Sequence, residues 1–105
     1  MEKLYIKFKD LIDKQKFYEA HEVLEELWFP NRKSKDPDTL LLKAFINASV
    51  SFELKKRGKT MQAKKVWKNY EKYIEHINIC SQKNFYHFIS IKSLLEQKYK
   101  ELFCA

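Results

Sequence analysis

Glycine and proline are almost missing from this chain, which has one Gly and two Pro among 105 residues. A small sandwich or barrel needs a turn signal roughly every 8–12 residues, so an all-β fold is excluded and an all-helical one favoured. Cysteine is scarce as well. Cys80 and Cys104 match no metal-ligand spacing, and they read as two ordinary thiols of a reduced intracellular protein. Arginine is limited to Arg32 and Arg57. Bases and phosphates are read by planar, bidentate Arg more than by Lys, so nucleic-acid binding is disfavoured though left open. Long apolar runs are lacking. The longest nearly uncharged stretch, Ala44 to Phe52, is half of what a membrane span requires. Met1 to Asp10 already carries Glu2, Lys3, Lys7 and Lys9, with no apolar segment of a secretory signal. A cytoplasmic protein with no membrane partner is expected.

What is present suffices for one core. Hydrophobic residues make up 45% of the chain, and sixteen are aromatic. Residues 1–105 are therefore read as a single helical domain. The formal charge is +7, and it is uneven. Residues 1–30 carry five basic residues against seven acids, whereas the remainder carries sixteen against seven. The span Lys55 to Lys72 concentrates Lys55, Lys56, Arg57, Lys59, Lys64, Lys65, Lys68 and Lys72 against one acid, Glu71. That patch reads first as a solvated outer surface and second as a nucleic-acid contact.

Hydrophobic periodicity gives about five helices. Leu4, Phe8, Leu11 and Ile12 form the stripe of the first. Phe17, Ala20, His21, Leu24, Leu27 and Trp28 form that of the second, which Pro30 stops. Asp36-Pro37-Asp38 reads as an N-cap, a proline at N1 and an acid on the positive helix end. The third helix, about Pro37 to Arg57, is apolar nearly all round and belongs in the middle. Gly58 supplies its left-handed cap, and Thr60 is expected to cap the fourth helix, with Ala63, Val66, Trp67, Tyr70, Tyr73, Ile74 and Ile77. After a break at Ser81 to Asn84, Phe88, Ile91, Leu95, Tyr99 and Leu102 mark the fifth. The segment around Ala20 and Val23 aligns with that around Ala63 and Val66 at a 43-residue offset, as two stacked helical hairpins would produce. Any two amphipathic helices share such a pattern, so the alignment speaks to architecture and not to chemistry.

The strongest chemical signal lies in the second helix. With Phe17 at zero on the wheel, His21 falls at about 40° and Glu25 at about 80°, while Glu22, Glu26 and Glu19 fall near 140–200°. Only His21 and Glu25 point inward or nearly so. This i, i+4 pair places an imidazole and a carboxylate one turn apart, close enough to bind one cation or share one proton. On the third helix, Asn47 and Ser51 share a stripe with Leu40, Ala44 and Leu54. Buried amides and hydroxyls need partners, so His21 and Glu25 are expected to meet Asn47 and Ser51, with Trp28 closing one wall. Ala44 and Ala48 would let the second and third helices approach closely. His76 and His87 read as ordinary surface histidines.

The run Phe17-x-Glu19-Ala20-His21-Glu22-x-Leu24-Glu25-x-x-Trp28, followed by Leu42-x-Ala44-Phe45-Ile46-Asn47-Ala48-Ser49-Val50-Ser51 and by Arg57-Gly58-x-x-x-x-Ala63, resembles the domain of unknown function 309 family. The resemblance covers about Leu11 to Ile77. It implies a compact helical bundle, with His21, Glu22, Glu25 and Trp28 at the family's motif positions. Asn47 stands where the family usually has Gln, and Lys59 where it has a small polar residue.

Three readings of the cluster remain open. It is a structural network fixing helix register, a divalent-metal site built on His21 and Glu25, or a small-molecule or acid–base pocket. The first expectation for the protein is a binding or structural module with a polar site at His21, Glu25 and Asn47. A metal-assisted or His-based hydrolase is the alternative, and nucleic-acid binding through the basic patch a third. The sequence leaves a homo-oligomer open.

Overall fold

The computed structural model describes residues 2–104. Five α-helices follow one another: α1 (Glu2–Asp13), α2 (Phe17–Trp28), α3 (Pro37–Lys56), α4 (Thr60–Ile74) and α5 (Gln82–Phe103). Short 3-10 turns at Phe29–Asn31 and Glu75–Ile79 extend α2 and α4, so Ile77 packs from a 3-10 turn rather than from the helix itself. The apolar stripe of each outer helix faces inward. Tyr5, Phe8 and Ile12 of α1, Phe17, Ala20 and Leu24 of α2, and Phe88, Ile91 and Leu95 of α5 are all buried.

Helix α3 is the axis, in contact with α2, α4 and α5. It buries Leu41, Ala44, Phe45, Ala48 and Phe52 completely, as its all-round apolar pattern requires. Its start is as expected: Asp36 caps it by accepting from the Asp38 N–H at 3.2 Å, with Pro37 in the first turn. Asp38 also leaves its own helix. Its carboxylate accepts from the Ser81 N–H at 2.7 Å, the Ser81 hydroxyl at 2.6 Å and the Asn84 amide at 2.8 Å. Ser81 in turn caps α5 by accepting from the Asn84 N–H. The N-termini of α3 and α5 are thus clasped by one side chain.

The two hairpins α1–α2 and α3–α4 share their turn. In each, an N–H bonds back three residues and the next N–H five: Gln15 to Ile12 and Lys16 to Leu11, then Gly58 to Lys55 and Lys59 to Leu54. This is the Schellman closure, with Gln15 and Gly58 in the left-handed region at φ 59° and 83°. Lys16 and Lys59 follow with nearly the same backbone angles, −93°/66° and −95°/62°. The 43-residue offset therefore extends through the turns. Thr60 does not cap α4 as expected, because the Schellman closure places Lys59 at the N-cap and Thr60 at the first helical position; the Lys59 side chain makes no cap hydrogen bond.

No described helix is long and apolar enough to cross a membrane.

Candidate functional site

The Phe17–Trp28 helix sorts its polar groups as its wheel requires. Glu19, Glu22 and Glu26 are exposed, whereas His21 and Glu25 are half-buried at the edge of the apolar face. His21 Nε2 lies 2.6 Å from a Glu25 carboxylate oxygen, one helical turn on. That contact fixes the ring's orientation. The second ring nitrogen, Nδ1, is buried and has no hydrogen-bond partner among the described residues. A buried polar nitrogen left unpaired costs about 1–3 kcal/mol.

His21 borders a pocket between α2 and α3. Its volume is about 180 Å³, and its walls are Phe17, Tyr18 and His21 from α2 with Ser49, Val50, Glu53, Leu54 and Arg57 from α3 and its cap. The lining is largely hydrocarbon. The Tyr18 ring sits 5.8 Å from the imidazole, and Phe17 is set edge-on to Phe52 behind it. At the other polar edge, Arg57 donates to Glu53 at 2.7 Å. On the outer side of His21, an open acidic surface is formed by Tyr18, Glu22, Glu25 and Glu26.

The expected partners from α3 go elsewhere. Asn47 donates to the Lys43 carbonyl at 2.8 Å and accepts from the Asn69 amide of α4 at 3.2 Å. Ser51 donates to the Ala63 carbonyl of α4 at 2.7 Å. Asn47 and Ser51 therefore face α4, and neither polar group bonds His21 or Glu25. Trp28 packs half-buried against the core and does not line the pocket.

Sequence reasoning missed Tyr18, Ser49, Val50, Glu53, Leu54 and Arg57. The last four have the i, i+3, i+4, i+7 spacing of a single helical stripe, and that signal was available. Ser49 is not aligned as a nucleophile, since its hydroxyl donates to the Phe45 carbonyl at 3.0 Å. Among the described residues, no set of three or more His, Cys, Asp and Glu side chains converges to hold a metal ion. His76 bonds the Tyr73 carbonyl, and His87 lies beside Tyr5 with Glu2 at 4.0 Å. Both are half-buried rather than fully at the surface.

A family model described as a domain of unknown function, DUF309, matches residues 5–66, more than half of the chain. The chain belongs to that family. The DUF309 match takes in α1 from Tyr5 onward, α2, α3 and the first half of α4, and with them every residue that lines the pocket. No curated protein and no solved structure matches the chain.

Proposed function

We propose that this DUF309 domain is a binding module whose ligand sits in the pocket between α2 and α3. The observation that carries this is the His21 ring. It lines a largely apolar pocket, is held by Glu25, and retains a buried nitrogen without a partner. Binding sites commonly combine apolar walls with few, well-placed polar groups. The fitting ligand is small and mainly apolar, matching the hydrocarbon walls. A purely structural histidine would be expected to satisfy both nitrogens within the protein. Binding is favoured over hydrolysis because the serine in the pocket wall, Ser49, spends its hydroxyl proton on the Phe45 carbonyl and is not paired with the ring.

The experiment is an NMR titration of the whole chain with small phenols, amides and alcohols, following backbone amides and the His21 ring nitrogens. Saturable shifts at Phe17, His21, Val50 and Leu54, lost in a Val50→Phe variant that fills the pocket, are expected. The reading is overturned if none of these compounds produces saturable shifts at the pocket, or if Val50→Phe leaves such shifts intact.

A further inference from the structure

A second surface lies away from the pocket, on the outer side of α4. Lys64, Lys65, Lys68 and Lys72 are all exposed there. Among the described residues none of the four takes part in an ion pair, whereas Lys14, Lys92 and Lys98 each have a carboxylate within reach. The one acid of the same helix, Glu71, stands at the border of this face, where it lines a groove against α5. The outer face of α4 therefore carries four lysines against a single acid at its edge. The four ammonium groups extend over about 12 Å of helix, at 1.5 Å per residue.

Helix α3 adds to this face. The Lys43 ammonium lies 4.7 Å from the Tyr73 ring centre, and that of Lys72 lies 5.3 Å from it. The amide pair Asn47–Asn69 bridges the two helices beside them. Uncompensated like charges held together repel one another, and a polyanion relieves that repulsion by exchanging its condensed counterions for them. Lysines are hydrated point charges suited to phosphates, without the fork geometry that reads bases. A lipid surface would need an apolar wedge among the cations, and only Met61 is exposed on this helix as a large apolar side chain.

We propose that the outer face of α4 binds the phosphate backbone of nucleic acid, without sequence preference, through Lys64, Lys65, Lys68 and Lys72 with Lys43 beside them. The test is fluorescence anisotropy of the whole chain with labelled RNA and with a DNA duplex, each of about twenty nucleotides per strand, across a salt series. Four phosphate contacts predict a log–log slope of roughly −3 to −4 against salt. Lys65→Gln/Lys68→Gln/Lys72→Gln should lower that slope by about 2–3, as each lost phosphate contact removes about one. Lys3→Gln/Lys7→Gln/Lys83→Gln removes the same net charge elsewhere and should keep the slope. Absence of binding at low salt, equal losses in the two triple variants, or binding confined to vesicles containing phosphatidylserine would each overturn the proposal. Circular dichroism of both variants confirms that the helices are retained.

Discussion

Gln15 and Gly58 hold equivalent places in two turns of one geometry, and both have left-handed backbones, at φ 59° and 83°. Only Gly adopts that region without a steric penalty from Cβ. Gln15→Gly should therefore stabilise the chain by about 0.5–1 kcal/mol. The Gln15 carbonyl, which accepts from Lys56 Nζ, survives the change because it belongs to the backbone. Gly58→Ala should destabilise by about 1 kcal/mol, from backbone strain alone, because a Cβ there meets nothing within 4 Å. Urea denaturation checks both, through opposite shifts of the midpoint at an unchanged slope.

Asp38 should be an acid-labile clasp. Burial by itself raises its pKa, but the hydrogen bonds from the Ser81 side chain and backbone and from Asn84 outweigh burial and hold it below the ordinary 3.8. The unfolded chain then takes up the proton first as pH falls. The stabilisation is fully present above 3.8 and is lost as pH drops from there through the lower folded value. Asp38→Ala, which removes three hydrogen bonds, should cost about 2 kcal/mol at neutral pH. Because this carboxylate is only half-buried, that figure sits at the low end for charged hydrogen bonds. Thermal melts from pH 6 downward should show the two proteins converging in acid, as the linkage requires.

Much of this architecture was legible because it depends on local rules. Five stripes at helical spacing, Asp36-Pro37 at a helix start and Gly58 at a helix end are each dictated within one turn of chain. The hairpin repeat was visible only as an alignment of Ala20 with Ala63, since Gln15 carries no signal of a left-handed turn. The candidate site was half legible. His21 and Glu25 lie on one helix, so their spacing fixes their meeting. The α3 partners depended on which of two polar stripes would face α2, and an all-round apolar helix does not declare that. Ser51 and Asn47 went to α4, where they meet the Ala63 carbonyl and the Asn69 amide, leaving Val50, Glu53 and Leu54 toward α2.

Ser51 then becomes a probe of the α3–α4 seam. Its hydroxyl is fully buried and donates to the Ala63 carbonyl at 2.7 Å, a main-chain group that also belongs to the α4 ladder. Ser51→Ala should cost about 1 kcal/mol, the usual net worth of one hydrogen bond. Ser51→Val adds bulk to a close backbone contact and should cost about 2–3 kcal/mol. Tm shifts in differential scanning calorimetry order the two: a loss for Ala well below that for Val supports tight packing, and equal losses refute it.

Tyr5 provides a test at the opposite end of the pH scale. Its phenol is pushed up to about 12, first by burial and then by the nearby Asp38 carboxylate. Tyr73 moves the other way, because the Lys43 and Lys72 ammonium groups favour its ionised form more than burial opposes it. In a spectrophotometric titration, Tyr73 should therefore ionise before the ordinary value of 10 and Tyr5 after it. The sign for stability follows from the unfolded chain, whose tyrosines lose their protons near 10 while folded Tyr5 keeps its own. Stability contributed by the neutral phenol is complete below that pH and declines as pH climbs toward 12. Tyr5→Phe removes the titrating group and keeps the ring against His87 and Phe88. Its urea midpoint should match the parent protein at pH 8 and exceed it at pH 11, and a parallel decline of both proteins would show that Tyr5 ionises freely in the fold.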